Sequence, residues 1–132
     1  GMFGGFSELL PWMAVNSNTS HLNIAEQEKD EQSVLSHYKQ LIRLRKNQSV
    51  FSESGFELIL KNHPQVFAYL RNSDTKQVLV LTNLSRKPCQ IDLPTRVANK
   101  KWQLLLTNSE QPVVEKRVQM QPYDAWVFEE II

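Results

Sequence analysis

Cysteine is almost missing from this chain: Cys89 is the single one in 132 residues. No internal disulfide can form, so a reducing compartment, the cytoplasm, is expected. Long apolar runs are missing too, and none approaches the roughly 18–20 residues that a membrane-spanning helix needs. The start, GMFGGFSELLPW, has neither the basic lead nor the long apolar centre of a secretory signal. The sequons at Asn18, Asn47 and Asn83 would then meet no glycosylation machinery. Glycine is scarce, with four residues, and the nearest approach to a phosphate-cradling loop is GMFGG at the very start. Neither sign of charge dominates: 15 Lys and Arg against 14 Asp and Glu leave a net charge of +1. That balance withholds the basic surface on which nucleic-acid binding rests. No nucleic-acid partner and no membrane are expected.

What is present reads as one globular domain, with 41% hydrophobic and 22% charged residues. Residues 1–29 show no sustained periodicity; LPW and VNSNTSHLN read as extended or looped chain. Residues 30–47 carry a helix, with Asp30 expected as its N-cap and Glu31 adding negative charge to the first turn. At helical spacing Val34, Leu35, Tyr38, Leu41, Ile42 and Leu44 form a broad apolar stripe, while Lys39, Arg43 and Lys46 gather opposite. Arg45 falls inside the stripe. Once covered, its guanidinium requires a carboxylate or backbone carbonyls, because a buried unpaired charge is prohibitive.

From about residue 50 to 132 the texture changes to short alternating runs: GFELIL (55–60), VFAYLR (66–71), QVLVLTN (77–83), CQIDL (89–93), WQLLL (102–106), PVVEKRVQM (112–120) and AWVFEEI (125–131). Turn formers separate them, and RNSDTKQ between two strong runs predicts a hairpin. Short strands at this spacing predict an antiparallel β-sandwich.

Self-contained chemistry is not evident. Acids cluster at Glu26, Glu28, Asp30 and Glu31, where they read as a solvated lead-in to the helix, and at Glu129 and Glu130, near a chain end where solvated charge is the rule. No pair reads as the facing carboxylates of a glycosidase. His21, His37 and His63 are dispersed without metal-ligand spacing, so no metal or cofactor is expected. Cys89, opening a strand after Pro88, reads as a small core residue rather than a nucleophile. Three exposed cations on a helix are ordinary solvation. Trp12, Trp102 and Trp126 could form a sugar-stacking platform, which would make the chain an independent carbohydrate-binding module. Trp102 and Trp126 lie within strands, where a core role is commoner. Trp12 follows Pro11 in a loop and needs a neighbour to cover it.

The segment PWMAVNSNTSHLNIAEQEKDEQSVLSHYKQLIRLRK resembles an ordered pattern of the α-amylase clan of glycoside hydrolases. It is most similar there to the oligo-1,6-glucosidase, dextran glucosidase and trehalose-6-phosphate hydrolase group. The matching positions are Pro11, Trp12, Val15, Asn16, Asn18, Asn23, Ser33, Val34, Tyr38, Lys39, Leu41, Ile42, Leu44, Arg45 and Lys46. SGFELIL, VFAYLR, VLVLTNLS and QPYDAWVF are similar to the C-terminal β domain of those enzymes. Glu31 and Ser17 stand where the family often has proline, a mild change in loop stiffness.

The resemblance implies that residues 1–29 come from the end of a catalytic barrel, 30–47 are its last helix, and 50–132 form the C-terminal β-sandwich. The family's Asp nucleophile, Glu acid/base and second Asp lie on barrel strands that this chain does not contain. The chain alone is therefore expected to hydrolyse nothing, with no catalytic residue of its own. Its role in an α-glucosidase would be structural, through Trp12, Tyr38, Leu41, Ile42 and Arg45 against the catalytic barrel. Without that barrel, a homodimer through the helix face is expected.

Overall fold

A computed structural model describes residues 2–5, 7–52, 54–110 and 112–131. The limits of the expected regions at Gly1 and Ile132 lie outside the described residues. The chain forms two compact units, divided in sequence after Arg43.

The first unit is built from short turns whose asparagines cap them. Asn16 Oδ1 accepts the Asn18 N–H at 3.3 Å and opens a 3-10 turn over Ser17–Ser20. Asn23 Oδ1 accepts the Glu26 N–H at 3.0 Å and opens α1, Ile24–Gln27. Of the two readings of the polar run VNSNTSHLN, extended or looped, the structure has the looped one, with Asn16 and Asn23 as caps. Gln27 then organises the entry to α2, Val34–Asn47: its carbonyl accepts the Ser33 hydroxyl at 2.6 Å, and its side chain accepts the Leu35 N–H at 3.0 Å.

Asp30 does not cap this helix. Ser33 Oγ accepts the Ser36 N–H at 3.1 Å, the contact an N-cap makes with the third helical residue. Asp30 instead accepts the Gln32 N–H at 2.9 Å in the preceding turn. Both residue types cap well, and the fold chooses Ser33 because Gln27 holds it; Ser33 is buried.

Among the described residues the second unit holds seven strands: β1 Gly55–Ile59, β2 Val66–Asn72, β3 Gln77–Asn83, β4 Cys89–Asp92, β5 Trp102–Thr107, β6 Arg117–Met120 and β7 Ala125–Glu130. One sheet has five strands in the order β1-β2-β3-β7-β5, and a second has β4-β6. All pairings are antiparallel. The expected hairpin is β2–β3, closed where the Ser73 N–H donates to the Lys76 carbonyl at 2.8 Å. Leu70 and Leu79 pair across it, and both are fully buried.

The sandwich core lies between the sheets. Ala68, Leu70, Leu79, Leu81, Trp126 and Phe128 of the larger sheet meet Ile91, Val118 and Met120 of the smaller. Each fully buried Leu, Val or Phe contributes about 1.5–3 kcal/mol relative to exposure. Two departures from the sequence reading have local causes. The run PVVEKRVQM forms a strand only over Arg117–Met120, because β4 ends at Asp92 before Pro94 and offers no longer ladder. Its extension is a single bond, Leu93 N–H to the Lys116 carbonyl at 2.8 Å. An unforeseen short helix α3, Thr95–Ala98, buries Val97 in the core after Pro94.

Candidate functional site

The stripe of α2 is bare at four of its six positions, with Leu35 and Leu44 half-buried. Val34, Tyr38, Leu41 and Ile42 are exposed, and no residue of the helix is buried. Trp12 is 93% exposed, in a stretch where Leu9, Leu10 and Met13 are exposed as well. Arg45 is exposed and makes no ion pair among the described residues. The partner expected for it belongs to a covered stripe, and this stripe is open. On the polar side, Lys39 pairs with Glu28 at 3.1 Å, and Lys29 with Glu26 at 2.8 Å. Exposed pairs of this kind contribute little.

A second apolar surface lies on the outward face of the five-stranded sheet. Val78 and Val80 of β3 face away from the sandwich core and are buried beneath Val50. Phe51, Tyr69 and Val127 complete this cluster. Arg71 of β2 fixes the covering segment: its Nε donates to the Val50 carbonyl at 3.3 Å and its Nη2 to the Phe51 carbonyl at 3.2 Å. Beside the cluster, Tyr69 contacts the ring of Phe56 at 5.1 Å and that of Phe67 at 5.4 Å. Burial raises the Tyr69 hydroxyl above its ordinary value, against the opposing charges of Arg71 and Arg45. Sequence reading passed over Phe56, Phe67, Tyr69 and Arg71. The available signal was that VFAYL is apolar at both alternating sets of positions, the mark of a strand with two apolar faces.

The other candidates resolve into structural roles. Trp126 is buried, with its Nε1 donating to Ser109 Oγ at 2.9 Å. Trp102 packs against the core and donates to the Val97 carbonyl at 2.9 Å. Trp126 thus has no free stacking face, while Trp102 is half-buried and lines a cleft of about 740 Å³ in which it is tied to the Val97 carbonyl. A cleft of about 430 Å³ beside Trp126 holds Glu110, Glu115, Arg117 and Gln119, but among its described lining residues the one aromatic is the buried Trp126. Glu129 and Glu130 are not freely solvated as expected: both are half-buried, Glu129 pairing with Lys76 and Glu130 with Lys100. The reason is that β7 is a central strand, so its last residues lie beside other chain segments. His63 Nδ1 accepts the N–H groups of Gln65 at 3.2 Å and Val66 at 3.0 Å, which organises the β1–β2 turn. Burial first, and the Asp124 carboxylate second, push the Cys89 thiol up, the opposite of an activated nucleophile. Among the described residues no three His, Cys, Asp or Glu side chains gather as a metal site. Nor is any described helix long and apolar enough to cross a membrane.

Two family models divide the chain between them. Residues 2–54 match the α-amylase catalytic domain, and residues 56–127 match the maltogenic amylase C-terminal domain. The chain is 33% identical to an oligo-1,6-glucosidase of Bacillus cereus over 126 residues, which are 94% of this chain and 22% of the relative. It is likewise 33% identical to a trehalose-6-phosphate hydrolase of Bacillus subtilis over 127 residues, 95% of this chain and 23% of that one. The crystal structure of a trehalose-6-phosphate hydrolase from Bacillus licheniformis matches 97% of this chain with a TM-score of 0.87 and 30% identity, covering 24% of that chain. The chain belongs to the α-amylase family of glucosidases and corresponds to their C-terminal portion, a stretch of the catalytic domain followed by the C-terminal β-sandwich. It spans less than a quarter of the length of these relatives.

Proposed function

We propose that this chain is the structural C-terminal portion of a cytoplasmic α-glucosidase that hydrolyses α-glucosidic bonds of short oligosaccharides. The observation that carries this reading is the junction near residue 55, where a match to a catalytic domain gives way to a match to the domain that follows it. Retaining hydrolysis needs two carboxyl groups about 5–5.5 Å apart across the scissile bond. Glu26, Glu28, Glu129 and Glu130 are each held in an ion pair with a lysine, which supports an inactive chain.

The exposed stripe of Tyr38, Leu41 and Ile42, with Trp12 and Arg45, is the face that meets the catalytic barrel in this reading. Where no barrel is present, a second copy of the chain covers the same stripe. Buried Trp126 and tied Trp102 speak against an independent carbohydrate-binding module.

The test is to incubate the purified chain with isomaltose and with a nitrophenyl α-glucoside. No release above buffer is expected. Release that scales with chain concentration would overturn the reading. Sedimentation of the same sample checks the second part, with a dimer expected and Leu41→Lys shifting it to monomer.

A further inference from the structure

We propose that the turn between β1 and β2 is an acid-released latch, held shut by the unprotonated ring of His63.

Two backbone donors of the turn converge on one atom. His63 Nδ1 accepts the N–H of Gln65 at 3.2 Å and that of Val66 at 3.0 Å. A ring nitrogen that accepts N–H groups carries no proton of its own, so the ring is neutral with its hydrogen on Nε2. Protonation places a hydrogen on Nδ1, and that nitrogen then faces two other donors. Both bonds are lost in one step. Histidine is the side chain whose charge ordinarily changes between about pH 5 and 8.

The same turn needs holding. Leu60 sits at φ 54°, in the left-handed region that a leucine takes only under constraint. The His63 N–H donates to the Leu60 carbonyl at 2.9 Å, so the residue that carries the latch also closes the strained bend. On either side stand Ile59 and Val66, both buried in the sandwich core. Gln65 fastens the far end: its carbonyl accepts the Leu84 N–H at 2.9 Å, and its side chain donates to Ser85 Oγ at 3.1 Å. Neither of these bonds involves a group that titrates, so acid frees the bend from Leu60 to Pro64 while β2 keeps its seat.

Nothing beside the ring offsets the charge once it forms. A hollow of about 240 Å³ next to it is walled by Leu60, Phe67 and Leu84, and among its described lining residues the other charged side chain is Lys61. Arg86 and Lys87 follow Ser85 in the loop after β3. The elements around the turn bring two carboxylates, and neither lines the hollow: Glu57 of β1 pairs with Arg96, and Asp124 accepts the Gln121 N–H. An imidazolium here therefore has no counter-charge to hold the turn in place of the two lost bonds.

The test compares amide exchange of the chain at about pH 7.5 and about pH 5.5, corrected for the intrinsic rate at each pH. Protection at Gln65 and Val66 is expected to fall by about tenfold at the lower pH, the scale of one net hydrogen bond, while Leu79 and Phe128 keep theirs. His63→Asn supplies an oxygen acceptor for the residues that follow it and has no proton to gain, so its protection should not respond to pH. His63→Ala should show the low protection at both pH values. A wild-type chain in which Gln65 and Val66 hold their protection on acidification overturns the proposal. A His63→Asn chain that loses protection as the wild type does also overturns it, because another group would then be titrating. A loss shared equally by Leu79 and Phe128 overturns it as well, since the whole sandwich and not the turn would be responding.

Discussion

The side-chain amide of Asn83 donates to the backbone carbonyl of Gln121, 38 residues later, at 2.9 Å. The same amide donates to the Lys87 carbonyl at 2.9 Å, and Asn83 Oδ1 accepts the Ser85 N–H at 3.1 Å. Asn83 is 1% exposed. One buried amide thus ties the end of β3 to the loop after it and to the turn between β6 and β7. That turn carries Pro122 and then Tyr123 at φ 62°, a left-handed residue where glycine is usual. Asp124 supports it by accepting the Gln121 N–H at 2.6 Å.

Replacing Asn83 by Ala leaves two carbonyls and an N–H without their partner in a buried place. The expected loss is about 2–3 kcal/mol, read by urea unfolding, because each orphaned group costs about 1–3 kcal/mol before water relieves part of it. Asn83→Asp is expected to do at least as much harm. It keeps the Ser85 bond but turns an oxygen towards the carbonyls of Lys87 and Gln121. A near-neutral Asn83→Asp would show that these two bonds contribute nothing.

Arg71→Met keeps the apolar stem on the sheet and removes the donors to Val50 and Phe51. The expected cost is about 1–2 kcal/mol, in the range of hydrogen bonds made by charged groups. Amide exchange should quicken at Ser49–Ser52 and stay unchanged in β3 and β7. Uniform quickening across the sandwich would mean that Arg71 supports the whole fold and not this one segment.

Glu57 and Arg96 set a pH dependence of known sign. The Arg96 hydrogen bond, followed by the charges of Arg96 and Lys61, holds the Glu57 carboxyl below its ordinary value, against some desolvation. A depressed carboxyl stabilises the fold above its unfolded pKa and loses that contribution as pH falls through the lowered folded value. NMR titration of Glu57 should show the lowered midpoint, and Arg96→Gln should raise it. With that variant the acid limb of the stability curve flattens slightly, since the pair is solvent-exposed. An unmoved Glu57 midpoint in Arg96→Gln would refute the assignment.

Much of the fold was legible because its signals are local. The alternation in VFAYLR and QVLVLTN, with RNSDTK between them, gave both the strands and their hairpin. The helix stripe from Val34 to Leu44 was legible for the same reason, and so was the core role of Trp126. Asp30 misled because capping preference alone does not choose between two good caps three residues apart. Glu129 and Glu130 misled because nearness to a chain end says nothing of where a strand lies in its sheet.

Sequence alone determined the class of this protein: an ordered motif from Pro11 to Lys46, followed by period-two runs, belongs to one family and one β-sandwich. Period and motif are carried by neighbouring residues, so they survive without a structure. Only the tertiary structure decided which apolar face of β1–β3 is interior and which is outward. A period of two sorts side chains into two sets but does not say which set meets the second sheet. The bond from Asn83 to Gln121 and the seating of Val50 over Val78 were likewise invisible, because each joins chain segments that meet only when the sandwich closes.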